Sequence, residues 1–515
     1  MKMIRLDGES LTLESVAAVA DRSVRAALSP GARRAMTASR RVVERAVRSG
    51  ANAYGVTTGF GKFADVAIPR EDLETLQRNL VRSHTAGVGP PLEDRAVRAM
   101  MVLRANALAK GLSGVRVGTV ETLLAMLAAD VLPVVPSQGS VGASGDLAPL
   151  AHLALGLIGE GEARVRGRRV SARDALRRAR IRPVSLEAKE GLALINGVQM
   201  SVAVGGLALL RAIELARAAD LVGAASLDAS RGSDAAFDAR IAAARPHPGA
   251  GKTAANLRGL LKGSAIRESH RGCGRVQDNY ALRCMPQVHG AARDAFEHAR
   301  EVLNREMNSA TDNPLVFPDS GHTASGHTAS GDIVSGGNFH GAPVGLVLDY
   351  AAVAAADLAS ISERRIEKLV NPALSDLPAF LVAEGGLNSG LMIAQVTAAA
   401  LVSENKIFAH PASADSIPTS AAKEDHVSMS PIAARKFAQV VANLERVLAI
   451  ELLAAFQAME FLRPLRSSAP IERVRRAFRR RVRAWTHDRE LHPDLVRATE
   501  FLRSEDFRRE TDRLQ

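Results

Sequence analysis

Cysteine is almost missing from this sequence: Cys273 and Cys284 are its only two. That is too few for a disulfide framework and suits a reducing compartment. Aromatic residues make up 3%, with three tyrosines and one tryptophan, so the stacking platforms that grip single-stranded nucleic acid are scarce. Lysine is also sparse, with ten residues, and none stands in a pattern that marks a pyridoxal-binding lysine. Gly251-Lys252-Thr253 resembles the end of a phosphate-binding loop, but Pro246 stands where that motif needs glycine. No βαβ alternation is evident, and no stretch reads as long and uninterrupted enough to span a bilayer. The opening run Met1–Glu9 carries acidic residues where a secretory leader needs an apolar core. These absences predict a cytoplasmic protein with no membrane partner.

What is present is a chain of 515 residues, 47% hydrophobic and 24% charged, the composition of a globular protein. A net charge of +12 raises the possibility of nucleic-acid binding. Its arginines, however, are scattered. The densest run, Arg473 to Arg483, sets Val474, Phe478 and Val482 four residues apart, the apolar stripe of an amphipathic helix with a solvated charged face. No nucleic-acid partner is expected.

Ala-, Leu- and Val-rich segments of helical periodicity dominate. Phe437, Val440, Val441, Leu444, Leu448, Leu452, Ala455 and Met459 mark one long helix, closed at Pro464. Others are expected over about 97–130, 190–228, 284–309, 343–366 and 390–409. The fold class is therefore mostly α, a long-helix bundle subunit with a loop-rich N-terminal region. An approximate boundary divides residues 1–200, rich in polar loops, from residues 201–515, the long helices and C-terminal helices. Gly, Ser, Asn and Asp concentrate in loops at 54–61, 136–149, 308–318 and 319–338, where sites tend to lie. In the last, Gly321-His322-Thr323-Ala324-Ser325 repeats as Gly326-His327-Thr328-Ala329-Ser330. Without Cys or carboxylate ligand spacing around them, the repeated histidines read as a surface insertion, and no metal site is expected.

The segment Gly142-Ala143-Ser144-Gly145-Asp146 carries the most chemistry. Small residues at 143 and 145 allow the amide nitrogen of Gly145 to approach the carbonyl carbon of Ala143, which a β-carbon at 145 would crowd. Ring closure with loss of water, followed by loss of the Ser144 hydroxyl, leaves a methylidene on a five-membered imidazolone. That group is an electrophile unlike any ordinary side chain.

The stretch Gly142–His152, with Tyr54–Gly61, Gly191–Gln199, Val276–Val288, Asn308–Phe317, Gly337–His340, Asn388–Lys406 and Ser416–Met429, resembles the aromatic amino-acid ammonia-lyase family, most closely its histidine-directed branch. The resemblance implies a mostly helical homotetramer with shared active sites. It also implies a methylidene-imidazolone formed autocatalytically from Ala143, Ser144 and Gly145, with no external cofactor. It further implies non-oxidative deamination of L-histidine to trans-urocanate, the first step of histidine degradation. Tyrosine or phenylalanine deamination, or amino-group migration, on the same scaffold is the alternative; a non-catalytic binding paralogue would be expected to have lost Ser144 or Tyr54.

Carried over with the resemblance are Tyr54 as general base or proton relay and Arg283 as the carboxylate clamp, a task suited to paired guanidinium donors. Gln277, Tyr280 and Arg283 recur every three residues, as on one face of a helical turn. Asn196 is expected to hold the prosthetic group or the substrate amine, with Tyr280 and Phe339 as neighbours; Asn313 either joins them or caps a helix. Ser83, His84 and Glu424 supply the polar partners that an imidazole needs when it leaves water. Three features depart from the family pattern. Lys423 stands where glutamine is common, Ala342 where an acid is common, and the repeated His-Thr loop is extra.

Overall fold

The computed structural model describes residues 2–274, 276–318 and 331–515; the repeated segment 321–330 lies outside the described residues. The chain forms two compact units. One comprises Met1–Leu207, Arg300–Asp349 and Pro411–Arg435, the other Ala208–Ala299, Tyr350–His410 and Lys436–Gln515.

The fold is mostly helical, as its periodicity predicts. The longest helices are Gln199–Ala229, Ala342–Val370 and Ser430–Glu460, of 31, 29 and 31 residues. Several expected boundaries move. The 97–130 helix is two, Asp94–Ala109 and Val117–Ala128, because Gly111 and Gly114 turn the chain at φ +76° and +67°. The 190–228 helix is likewise broken after Ile195, at Asn196 and Gly197. The last long helix ends at Glu460, before Pro464. Contrary to the sequence reading, one small βαβ unit exists. Strand Lys2–Leu6 pairs in parallel with Val24–Leu28 around the helix Leu13–Ala20. Also contrary to that reading, Ala342–Val370 is long and apolar enough to cross a membrane, with a mean hydropathy of 1.7 over its best window. Of that window, 61% is buried inside the protein.

In the first unit, helix Asp94–Ala109 is buried on nearly every face from Val97 onward, the mark of a central helix. Three helices, Leu73–His84, Leu147–Leu157 and Glu190–Ile195, pack against one another. Their ends bring His84, Ser144 and Asn196 to one place. A small apolar cluster of Val42, Val43, Val56, Leu73 and Val316 anchors the loop that carries Tyr54. Another, of Ala143, Val427 and Met429, pins the loop that carries Ser144.

In the second unit, the basic run forms the helix Ala469–Arg479, with Val474 and Phe478 buried. Three of its four arginines are engaged: Arg473 pairs with Glu510, Arg475 with Glu460 and Glu472, and Arg479 with Glu460. The core of this unit holds Arg365 bound through two nitrogens to Glu451 at 2.5 and 2.9 Å, both side chains inaccessible to solvent. Ser226 and Ser362 donate to the same carboxylate. Removing one member of such a pair leaves a buried charge unanswered. Arg365→Met is therefore expected to destabilise the protein by about 3–5 kcal/mol, while the double variant Arg365→Met/Glu451→Leu recovers most of that loss. Denaturant titration checks both; equal stability of the single variant and the parent rules this account out.

Candidate active site

A cavity of about 1160 Å³ in the first unit is lined by Tyr54, Ser83, His84, Ser144, Asn196, Asn313, Phe339 and Glu424, all residues singled out in the sequence. Lys62, Lys423 and the apolar side chains of Leu76, Leu80, Leu147 and Leu192 complete much of the wall.

The loop 142–146 is held from several sides. Gly142 and Gly145 have φ of +70° and +78°, a region that favours glycine. A β-carbon on Gly145 would lie 2.3 Å from the carbonyl oxygen of Gly197, and one on Gly142 would lie 2.3 Å from Ser428 Oγ. Asn196 Nδ2 donates to the Ser144 carbonyl at 3.0 Å, and the Asp146 amide donates to the Gly197 carbonyl at 2.6 Å. Ser428 Oγ donates to the Gly142 carbonyl, and the Met429 amide to the Val141 carbonyl. Asp146 stands at the N-terminus of the helix Leu147–Leu157 but does not cap it with its side chain. Its buried carboxylate accepts from Ser201 N and Oγ, both at 2.8 Å. Burial raises its pKa to about 6, against the lowering effect of those donors.

Ser144 Oγ donates to Glu424 Oε1 at 2.7 Å, and Thr419 and Ser420 donate to the other oxygen at 2.7 and 2.9 Å. Burial pushes the Glu424 pKa up. The three hydroxyls, with a smaller contribution from His84, outweigh that and hold it below the ordinary value. The turn that presents Glu424 places Ser420, Ala421 and Ala422 at φ of +50°, +53° and +62°. Three consecutive non-glycine residues in the left-handed region store strain; nothing in the sequence signals it.

His84 ends the helix Leu73–His84, and its Nδ1 lies 2.9 Å from the Leu80 carbonyl. A carbonyl only accepts, so Nδ1 carries the proton. Burial lowers the ring's pKa, which keeps it neutral and leaves Nε2 as an acceptor. Tyr54 is half-buried, and its hydroxyl accepts from the Gly61 amide at 3.3 Å. Asn196 is buried, and its Oδ1 has no hydrogen-bond partner among the described residues. Asn313 caps no helix. Its side chain instead ties down the following loop, with Nδ2 donating to Ser335 Oγ at 3.1 Å and Oδ1 accepting from the Gly336 amide at 2.6 Å.

Gln277, Tyr280 and Arg283 belong to the second unit. They meet each other, with Arg283 donating to Gln277 Oε1 at 2.6 Å and its guanidinium 4.7 Å from the centre of the Tyr280 ring. The helical turn covers only Tyr280–Arg283, so Gln277 reaches Arg283 from outside it, unlike the single-face arrangement expected. Tyr280 is 69% exposed and Val276 98%.

The aromatic amino acid lyase family model matches residues 11–480. The chain belongs to the aromatic amino acid lyase family. It is 57% identical to histidine ammonia-lyase of Anaeromyxobacter sp. (strain K), over 96% of this chain and 97% of that one. Histidine ammonia-lyase of Trypanosoma cruzi superposes with a TM-score of 0.91 at 45% identity, covering 100% of this chain and 95% of the other. Tyrosine aminomutase of Streptomyces globisporus superposes with a TM-score of 0.92 at 37% identity, covering 99% of each.

For this member of the lyase family, the His84 environment makes a direct prediction. Burial depresses its pKa below 6.5, so the ring should still be mainly neutral at pH 6.5, with its proton on Nδ1. Histidine-selective 15N labelling reads both properties. A His84 ring half-protonated at or above pH 6.5, or protonated only on Nε2, contradicts the assignment.

Proposed function

We propose that this protein removes ammonia from L-histidine to give trans-urocanate, the opening step of histidine degradation, with an electrophile built from residues 143–145. The observation that carries the reading is one cavity in which the Ser144 loop, Asn196 and two acceptors suited to an imidazole, His84 and Glu424, come together.

The residues fit a methylidene-imidazolone. A side chain at 145 is excluded by the Gly197 carbonyl, the Ser144 hydroxyl is already engaged, and Asn196 presents an amide donor to the carbonyl that such a ring retains. Once formed, the group supplies an electron-withdrawing methylidene. The unpartnered Oδ1 of Asn196 suits the substrate ammonium. Tyr54 is the candidate to take the β-proton from substrate, its hydroxyl oriented by the Gly61 amide. Neutral His84 accepts an imidazole N–H at Nε2, and ionised Glu424 accepts the second N–H that the ring carries when protonated, or moves a proton. Phe339 and the leucines give the rest of the wall an apolar face.

The carboxylate clamp assigned to Arg283 is the part of the site that the first unit does not supply. We read the assembly as a homotetramer in which another subunit brings Gln277, Tyr280 and Arg283. Two observations support this: the exposure of Val276 and Tyr280 beside Arg283, and the exposed Ile393, Val396 and Ile407 on the helix Met392–Phe408. Apolar surface of this kind favours association. The cavity, above the roughly 300–1,000 Å³ of an ordinary small-molecule cleft, leaves room for an incoming segment. A cytoplasmic location accords with two unpaired cysteines.

Mass spectrometry of the 143–145 peptide should show a loss of two waters, and Ser144→Ala should fold yet be nearly inactive. An unmodified peptide in an active preparation overturns the reading. The similarity to a tyrosine aminomutase motivates the second reading, and parallel assays with histidine, tyrosine and phenylalanine decide between them. Histidine should have the highest kcat/KM, and Glu424→Gln should cut it by about 100-fold, the scale of one positioned proton-transfer group. A higher value for tyrosine or phenylalanine selects the alternative. For the assembly, co-expressed Ser144→Ala and Arg283→Ala chains should regain activity if these residues meet across subunits. Mixed tetramers no more active than either parent would refute sharing for that pair.

A further inference from the structure

Helix Asp94–Ala109 is a core helix, yet Arg104 near its end is 0% exposed. A buried guanidinium is costly unless a carboxylate answers it. No ion pair to Arg104 occurs among the described residues. The carboxylate that influences it, Asp312, is bonded to Lys189 at 2.8 Å, and that pair is itself buried. Two cations therefore share one anion behind the cavity wall. Burial brings the Arg104 pKa down only to about 10, so the group stays charged at neutral pH.

That charge is aimed. Arg104 Nη1 donates to the Asn196 carbonyl and to Gln199 Oε1, each at 2.7 Å, while Nε and Nη2 have no hydrogen-bond partner among the described residues. A β-carbon on Gly197 would lie 2.5 Å from Nη1, so guanidinium and backbone are in close contact. Asn196 and Gly197 are the two residues that hold the loop on its inner side, at the Ser144 carbonyl and the Asp146 amide.

We propose that Arg104 is a positioning residue for the electrophile: its guanidinium fixes the backbone of Asn196 and Gly197 against the 143–146 loop, which sets the Asn196 side-chain amide on the Ser144 carbonyl, and its buried charge adds a positive field on that side of the loop. The proposal rests on the reading of 143–145 as the source of an imidazolone. The carbonyl oxygen of such a ring is conjugated with the methylidene, so it gains negative charge when electrons move onto the group. A preoriented donor backed by a buried cation stabilises that charge without reorganisation. Lysine at 104 would keep the charge but lose the rigid planar group that holds one nitrogen between the Asn196 carbonyl and Gln199 Oε1.

The test compares the wild type with Arg104→Lys and Arg104→Gln by peptide mass, near-ultraviolet absorption of the modified loop, and kcat and KM per modified chain. We expect kcat to fall about 10-fold in Arg104→Lys and about 100-fold in Arg104→Gln, the latter being the scale of one oxyanion donor. KM should stay within about threefold, and the absorption band should move in the same order. Should Arg104→Gln fail to fold, Arg104→Lys decides: a lowered kcat with a displaced band supports the role, and wild-type values of both overturn it. Equal impairment of the two variants means a purely structural arginine and also overturns it. An unmodified wild-type peptide sinks the reading of 143–145 and this proposal with it, whereas a modified wild type with a flat series sinks the role of Arg104 alone.

Discussion

The approach of Gly145 to Gly197 governs this site. The Gly197 carbonyl occupies the space that a β-carbon at 145 would need, and the same carbonyl accepts from the Asp146 amide. The loop is thus folded onto the break between the helices Glu190–Ile195 and Gln199–Ala229. Glycine is required on both sides of the contact, because Gly197, at φ +144°, is in turn closed off by Arg104 and the Thr311 carbonyl. A compact loop is what backbone cyclisation demands, since a nitrogen and a carbonyl carbon two residues apart must be driven together at the expense of chain entropy. Here packing and hydrogen bonds from the rest of the unit supply the compression.

Rigidity on one side is matched by strain on the other. Glu424 is delivered by three left-handed non-glycine residues, 420–422, each costing roughly 1–2 kcal/mol. Glycine there would relieve the strain but lower the barrier to other turn geometries. The Thr419–Glu424 bridge and the hydroxyls of Thr419 and Ser420 on the carboxylate keep the turn in place. The two walls meet at the Ser144–Glu424 hydrogen bond.

Much of this was legible in the sequence, for identifiable reasons. Helices announced themselves because apolar residues recur at their spacing, and the glycine-rich loops marked where side chains gather around the cavity. What periodicity cannot see is a break inside an apolar run. Asn196-Gly197 and Gly111–Gly114 divide segments that read as single helices, and it is the first of these breaks that exposes a carbonyl to the loop. The parallel strand pair at the N-terminus escaped because five-residue strands around one short helix give too weak an alternation. Helix Ala342–Val370 was expected as a bundle helix; that its length and composition would also suit a bilayer was not, since burial in a packed protein and immersion in lipid select the same composition. Arg104 went unnoticed among 57 arginines. Its only signal was a charge inside an apolar helix, and the meaning of that charge depends on which backbone it meets.

The same physics bears on the choice among aromatic substrates under the proposed reading. The wall is mostly apolar, with Leu76, Leu80, Leu147 and Leu192, and such a surface alone separates similar rings by only about 1–3 kcal/mol. Stronger discrimination needs polar groups that one ring satisfies and another leaves unpaired. His84 Nε2 and Glu424 are both acceptors, the first because Nδ1 is committed to the Leu80 carbonyl, the second because the hydroxyls of Thr419 and Ser420, which remain when the Ser144 hydroxyl is lost, favour its ionised form. A protonated imidazole brings an N–H donor to each of them. A phenyl ring brings none and strands two desolvated acceptors, a penalty of about 1–3 kcal/mol each and more for the charged one. A phenol satisfies one of them at most. Selectivity on this scaffold thus comes less from the shape of the cavity than from the two interactions, Nδ1 to Leu80 and hydroxyls to Glu424, that fix which way its polar groups face.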